Sequence, residues 1–303
     1  MPYRILCFDG GGVRGVLTAM LVERLVQAWP ALLTEVDLLS GTSSGGILAL
    51  GLAAGRTPDE CNQLYQTRGA QVFDDSIFDN VRDLGILRGA QYSNTHLRRA
   101  LIDLFGDMTL GDLPKKVLIA SFALDNQGQE LDGHRHWKPK FFHNYPGPGS
   151  DADQKVADVA LRTSAAPTYF PIYQGYVDGG VVAPNPSLCA LAQAINPVFG
   201  AQHLDQVALL SIGTGRTSNY LTEQDADWGL LQWAPHLLGL VTEASLSLPD
   251  YQCRQILGER YYRLNPNLPK PVRLDDIQQA SHLAALAEQT DLSPIKQWLS
   301  AYF

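Results

Sequence analysis

Val36-Asp37-Leu38-Leu39-Ser40-Gly41-Thr42-Ser43-Ser44-Gly45-Gly46 is the stretch on which the reading of this chain turns. An apolar run with the character of a buried strand enters Gly41-Thr42-Ser43-Ser44-Gly45, and a helical pattern of Ile47, Leu48, Leu50 and Leu52 leaves it. Strand, G-x-S-x-G turn and helix together make the context of a nucleophile elbow. The backbone crowds itself in so sharp a turn, so small residues (Gly41 and Gly45) must flank the serine. Its hydroxyl is then pushed out at the carboxyl end of the strand, close to the amides of the first helical turn. Ser43 is therefore a candidate nucleophile. The same residues also suit an ordinary helix N-cap, with Ser43 or Ser44 accepting from a free amide.

Upstream, residues 3–8 form a short apolar strand that runs into Asp9-Gly10-Gly11-Gly12-Val13-Arg14-Gly15. A helical pattern follows from Val16 to Trp29, with Leu17, Met20, Leu21 and Leu25 on its apolar face, and stops at Pro30. Strand, loop, helix, strand, elbow and helix in this order predict a parallel sheet covered by helices. The glycine loop has two functional readings. Gly10-x-Gly12-x-x-Gly15 fits the dinucleotide fingerprint of a nucleotide-binding oxidoreductase, with Glu35 or Asp37 where a ribose-binding acid would stand. Alternatively, the amides of Gly10, Gly11 and Gly12 form an oxyanion hole beside the elbow, aided by the helix N-terminus. A tight turn without a ligand is the plain alternative to both.

Downstream, Thr57-Pro58-Asp59-Glu60 reads as a helix start, and Tyr92-Ser93-Asn94-Thr95 opens another helix through Leu104. Between them, from about Phe73 to Gln91, the pattern is irregular. Lys115 to Phe122 reads as a buried strand turning at Asp125-Asn126-Gln127-Gly128, Trp137-Lys138-Pro139-Lys140 as an exposed turn, and Phe141 to Tyr145 as a strand on the core. A helix from Lys155 to Arg162 leads into Thr163-Ser164-Ala165-Ala166-Pro167-Thr168-Tyr169-Phe170-Pro171, and Val177-Asp178-Gly179-Gly180 follows. Val207 to Ile212 is the last core strand expected; the remainder reads as mostly helical, with a Pro/Asn-rich break from Asn265 to Pro271. The fold class expected is α/β in three layers: a central, mainly parallel sheet with helices on both faces. It forms one domain over residues 1–303, with the motifs within about 4–215 and a helical C-terminal region over 216–303.

Bulk properties agree with such a fold. The 303 residues are 45% hydrophobic and 18% charged, which suits a sizeable core. No apolar run approaches the roughly 20 residues that span a bilayer; the longest, Ile47 to Ala54, reads as a buried helix. The opening Met1-Pro2-Tyr3 has neither the basic region nor the cleavage site of a signal peptide, so a cytoplasmic location is expected. Cys7, Cys61, Cys189 and Cys253 are widely spaced, as free thiols in a reducing compartment would be. A net charge of −8 argues against a nucleic-acid partner and against purely electrostatic attraction to anionic membranes.

A serine hydroxyl needs a neighbour to take its proton. His203, His236 and His282 lie late enough to serve, but none sits in a short loop at a strand end. Asp178 does: it follows apolar Tyr176-Val177 and precedes Gly179-Gly180. On its own it is equally a plain Asp-Gly turn. His134-x-His136 lacks the accompanying carboxylates or cysteines of a metal site and is read as surface.

Taken together, Asp9-Gly10-Gly11-Gly12-Val13-Arg14-Gly15, the Gly41-to-Gly46 elbow, Thr163-to-Pro171 and Asp178-Gly179-Gly180 resemble, in order and form, the motifs of the patatin-like phospholipases. Ser211-Ile212-Gly213-Thr214-Gly215 is similar to that family's late core strand. The resemblance spans at least residues 4–215. It implies a lipid acyl hydrolase of phospholipase A or lysophospholipase type, with a Ser43–Asp178 dyad and no catalytic histidine. It further implies an oxyanion hole from Gly10, Gly11 and Gly12, a loop-fixing role for Arg14, and the Ser-Ala-Ala-Pro segment beside the site. Asp9, Gly15, Gly41, Gly45, Gly179 and Gly180 support these residues. Ser44 stands where threonine is common in the family, with the hydroxyl retained. The implied partner is a lipid substrate (phospholipid, lysophospholipid or neutral acyl ester), with peripheral membrane contact and no metal or cofactor. An acyltransferase using the same dyad with a non-water acceptor is the alternative from within the resemblance.

Trp228, Leu230, Leu231, Trp233, Leu237 and Leu238 form an aromatic–aliphatic stripe. Packing of a helix on the core is the expected explanation; a cap over an acyl-chain pocket or an interfacial surface is the functional alternative.

Overall fold

Tyr3–Phe8 (β1) shows why the sheet lies between two layers. Leu6 and Phe8 enter one hydrophobic core and Ile5 and Cys7 the other, and all four are buried. A strand covered on both faces reads as a continuous apolar run rather than an alternating one. The computed structural model describes residues 2–73, 90–128, 133–218, 220–222 and 227–303; most of the irregular stretch after Phe73 lies outside them.

The chain continues through Gly15–Ala28 (α1), Leu32–Glu35 (α2), Leu38–Thr42 (β2), Ser44–Ala53 (α3), Pro58–Phe73 (α4) and Thr95–Phe105 (α5). Then come Lys116–Ala123 (β3), Lys138–His143 (β4), Val156–Thr163 (α6), Tyr176–Asp178 (β5), Ser187–Ile195 (α7) and Val207–Ile212 (β6). Arg216–Thr217 (β7), Leu230–Leu257 (α8), Tyr261–Leu264 (β8), Asn267–Leu268 (β9), Ala280–Gln289 (α9) and Ser293–Tyr302 (α10) complete it. Among the described residues the main sheet runs β4-β3-β2-β1-β6-β8, with β5 also on β3. Strands β3, β2, β1, β6 and β8 are parallel; β4 and β5 are antiparallel to β3. The expected α/β architecture is thus observed. α1 and α3 cover one face through Leu17, Leu21, Ile47 and Leu48, while α7 and the end of α8 cover the other through Ala190, Leu191, Cys253 and Leu257.

Helix α4 starts as a capping box: the Thr57 amide donates to Glu60 Oε2 at 2.7 Å and the Glu60 amide to Thr57 Oγ1 at 3.2 Å. Two expectations are corrected. Residues 138–140 belong to β4 rather than to an exposed turn, although Trp137 beside them is 71% exposed. β4 lies at the sheet edge, where a proline such as Pro139 deprives no second neighbour of a hydrogen bond. Val207–Ile212 is not the last core strand either, because β8 pairs with it in parallel from Leu209↔Tyr261 to Ile212↔Leu264. The C-terminal region therefore supplies a strand of the main sheet as well as helices.

Candidate active site

The carboxyl ends of parallel strands point to one edge of a sheet, where loops can converge on a common point. Register brings Phe8 opposite Gly41, so the glycine loop leaves β1 beside the turn that leaves β2. β2 pairs with β3 as far as Thr42↔Ala120; β5 then takes over β3 from the opposite direction, beginning at Ser121↔Asp178. The two strands meet head to head on β3, which brings Ser43 against Asp178 across 135 residues of sequence. The Ser43 hydroxyl donates to Asp178 Oδ2 at 2.6 Å. His203, His236 and His282 play no part in this contact.

Ser43 has φ 54° and ψ −126°, outside the regions that a side chain ordinarily favours, and its hydroxyl does not cap α3. Ser44 Oγ accepts from the Gly11 amide rather than from an amide of α3, so the N-cap alternative holds for neither serine. Glycines make the bend sterically feasible. A Cβ on Gly41 would lie 2.1 Å from the Gly45 carbonyl oxygen, and one on Gly45 would lie 2.4 Å from that of Asp9. The Ser43 amide donates to Thr163 Oγ1 at 2.9 Å, and that hydroxyl donates to the Ala120 carbonyl at 2.6 Å. Two residues further, the Ala165 carbonyl accepts from the Asp178 amide at 2.9 Å, so the Thr163-to-Pro171 segment braces both partners.

Asp178 is 5% exposed, and its other oxygen accepts from the Gly180 amide at 2.6 Å. The Asp-Gly turn and the contact with Ser43 are thus both present in one carboxylate. Burial raises its pKa from 3.8 to about 6, against the opposing effect of hydrogen bonds from Ser43 and Gly180. A carboxylate so placed is ionised at neutral pH, yet closer in basicity to a hydroxyl proton than an ordinary aspartate.

The glycine loop is tied from several sides. The Gly10 amide donates to the Pro184 carbonyl at 2.9 Å, the Gly11 amide to Ser44 Oγ at 3.2 Å, and Thr214 Oγ1 to the Gly10 carbonyl at 3.3 Å. Among the described residues the Gly12 amide has no acceptor. Gly12 has φ +56°, and a Cβ there would lie 2.3 Å from the Leu274 carbonyl oxygen, so the loop needs glycine at this point. Burial lowers the pKa of Arg14 from its usual value, while the carboxylates of Asp9 and Glu243 act in the opposite sense.

One contributor went unseen in the sequence. Arg263 of β8 reaches across β6 to Asp9, donating from Nη1 to Oδ1 at 2.8 Å and from Nη2 to Oδ2. The Asp9 and Arg263 side chains are 1% and 7% exposed. Arg263 Nη1 also donates to Ser211 Oγ at 2.7 Å, and that oxygen accepts from Ser187 Oγ at 2.9 Å. The residue at the root of the glycine loop is therefore held by a bidentate, desolvated pair. Nothing in Tyr261-Tyr262-Arg263-Leu264 distinguishes a buried arginine from an exposed one.

The dinucleotide reading fails on topology. The Asp37 side chain accepts from the Arg4 amide at 2.8 Å, at the amino end of β1, and Glu35 accepts from Trp29 Nε1 at 3.4 Å. Both acids sit at the end of β1 opposite the glycine loop. His134 and His136 are engaged by Asn126, whose Nδ2 donates to the His134 carbonyl at 3.0 Å and lies 3.2 Å from His136 Nδ1. Among the described residues no three or more His, Cys, Asp or Glu side chains converge as a metal site.

The chain matches known proteins along most of its length. The family model "Patatin-like phospholipase" matches residues 6–191. A Bacillus subtilis protein named "Putative sporulation hydrolase CotR" is 33% identical, the match covering 98% of this chain and 97% of that one. A "cGAMP-activated phospholipase" of Pseudomonas aeruginosa is 33% identical over 90% of this chain and 82% of its own. Among solved structures, VipD from Legionella pneumophila matches 100% of this chain and 67% of its own at 12% identity, with a TM-score of 0.47.

Proposed function

Because this chain belongs to the patatin-like phospholipase family, we propose that it hydrolyses fatty-acyl esters of lipids, with Ser43 as nucleophile and Asp178 as its base. The observation that carries this reading is the 2.6 Å hydrogen bond from the strained Ser43 to a buried carboxylate whose pKa is raised to about 6.

The cycle has two halves. Ser43 Oγ attacks the ester carbonyl as its proton passes to Asp178 Oδ2, and the negative charge develops on the former carbonyl oxygen. The donors available to that oxygen are the Gly12 amide and, on release from Ser44, the Gly11 amide. The Gly10 amide is occupied by Pro184 and serves to hold the loop. Two such donors acting in a water-poor site contribute several kcal/mol each, about 3–4 by analogy with other oxyanion holes. The intermediate collapses, the alcohol departs with the proton from Asp178, and Ser43 is left acylated. Water then attacks the acyl group as Asp178 takes its proton, and the fatty acid leaves. Each proton accepted by Asp178 is returned, so the cycle closes with Ser43 free.

Phospholipid, lysophospholipid and neutral acyl esters all present the carbonyl this chemistry requires. An acyltransferase would differ only in the alcohol that replaces water. Free Cys7, Cys61, Cys189 and Cys253 support a reducing, cytoplasmic setting. Among the described residues no helix is long and apolar enough to cross a membrane.

The test is fatty-acid release from diacyl phosphatidylcholine, lysophosphatidylcholine and monoacylglycerol, with and without glycerol as acceptor. Release from at least one substrate, abolished by Ser43→Ala, is the expected result. Acyl transfer to glycerol without release would assign a transferase instead, and undiminished release by Ser43→Ala would overturn the dyad.

A further inference from the structure

Helix α8 carries an apolar face that is exposed among the described residues. Leu230, Trp233, Leu237, Val241, Leu248 and Tyr251 are exposed by 37–89% of their surface together with their neighbour Leu231, Leu230 by 77% and Val241 by 60%. At 3.6 residues per turn, these six side chains fall within an arc of about 80° along about 30 Å of helix. Cys253 and Leu257, the buried positions of α8 among the described residues, fall on the opposite side. Leu230, Leu231, Trp233 and Leu237 of the stripe expected to pack on the core thus face outward, and for these four the packing explanation is corrected. Helical periodicity reveals a stripe but not which side of it the protein covers.

Charge and position identify what the face fits. From Trp228 to Pro249 the only Asp, Glu, Lys or Arg is Glu243, which lies off the stripe. Charges beside an apolar seam set partner choice and orientation when two helices pair, and this face has almost none; a lipid surface imposes no register. With no cation on the face and a net charge of −8, nothing favours anionic headgroups. At the start of α8, Trp228 and Trp233 meet edge to face at 5.1 Å and Trp228 stacks on His236 at 5.4 Å. Rings with an apolar body and a polar edge favour a membrane–water boundary.

The helix is also joined to the site. Asn185 Nδ2 donates to the Leu246 carbonyl of α8 at 3.1 Å, and the adjacent Pro184 carbonyl accepts the Gly10 amide of the glycine loop at 2.9 Å. Two consecutive residues therefore support α8 and the loop beside Ser43.

We propose that the outward face of α8 is a membrane-docking surface for neutral or zwitterionic lipid, seating the protein with its catalytic edge at the bilayer. This rests on the reading of lipid esters as substrates. The helix lies in the interface and holds the protein by apolar burial rather than by charge.

The test uses the full chain carrying Ser43→Ala, floated with phosphatidylcholine vesicles, so that binding is read without turnover. Co-flotation is expected, unchanged when salt is raised to about 1 M, a concentration that screens charges beyond about 3 Å. Leu237→Glu/Val241→Glu, and separately Trp233→Gln, should weaken partitioning about tenfold or more. In the background that retains Ser43, the same substitutions should leave hydrolysis of a short soluble ester unchanged, which also shows that they fold. The proposal is overturned by failure to float, by equal flotation of the variants, or by binding confined to anionic vesicles and abolished by salt. It is likewise overturned if the chain forms a dimer that the double substitution splits. Flotation with no ester hydrolysis by the unmutated chain would overturn the hydrolytic reading and leave the docking surface standing.

Discussion

Replacing Asp178 by asparagine should stabilise the protein while abolishing its chemistry. The carboxylate is buried and its pKa lies at about 6 rather than 3.8. As pH rises, the unfolded chain therefore releases this proton before the folded one does. The contribution of Asp178 to stability is present in full below about pH 4 and is lost as pH rises through 6. Two units of displacement correspond to about 3 kcal/mol. Asparagine keeps the shape and an oxygen for the Gly180 amide but never ionises. At pH 8, Asp178→Asn should gain up to about 3 kcal/mol, a rise in Tm of about 5 °C for a chain of this size. At pH 4 the gain should vanish. The assays are thermal unfolding by circular dichroism at the two pH values and a pH profile of kcat/KM on a short soluble ester. The profile should fall about tenfold per pH unit below 6, because only the ionised carboxylate accepts the proton. A lower limb at an ordinary aspartate value, or equal destabilisation of Asp178→Asn at both pH values, would refute the reasoning.

Two further predictions concern the scaffold around the dyad. Arg263→Met leaves the Asp9 carboxylate buried without its partner and should cost about 3–5 kcal/mol in urea unfolding. Asp9→Asn/Arg263→Met should recover most of that stability while kcat stays low, because the glycine loop has lost its bidentate anchor. Gly45→Ala would force a methyl group to 2.4 Å from a main-chain oxygen and should yield no soluble protein, whereas Gly55→Ala, with φ +79° and no atom within 4 Å, should cost only about 1–2 kcal/mol; comparable soluble yields would count against the close packing described for the elbow.

The legibility of these features follows how local their causes are. The Gly41-to-Gly46 elbow and the Asp9-to-Gly15 loop each announce themselves within a few residues, because a sharp turn dictates its own small side chains. The order of strands, loops and helices is equally local, and the parallel sheet follows from it. The pairing of Ser43 with Asp178 depends on β2 and β5 meeting on β3, a matter of register that no single stretch contains. It was accessible through family resemblance rather than through spacing. Arg263 is not legible in the sequence because a charged residue in a four-residue strand looks solvent-exposed until its partner is known. Lys138-Pro139-Lys140 reads as a turn because edge strands tolerate the residues that turns favour. The outward stripe of α8 has the same periodicity as a buried one, so only the packed structure separates the two.

The central claim is that Ser43, activated by Asp178, becomes acylated. A fluorophosphonate probe offers the most direct measurement: label the full chain in the presence of lipid, digest it, and locate the adduct by mass spectrometry. The account predicts phosphonylation of Ser43, absent in Ser43→Ala and strongly slowed in Asp178→Asn. An adduct on any other residue, or an unlabelled chain that nevertheless releases fatty acid, would contradict it.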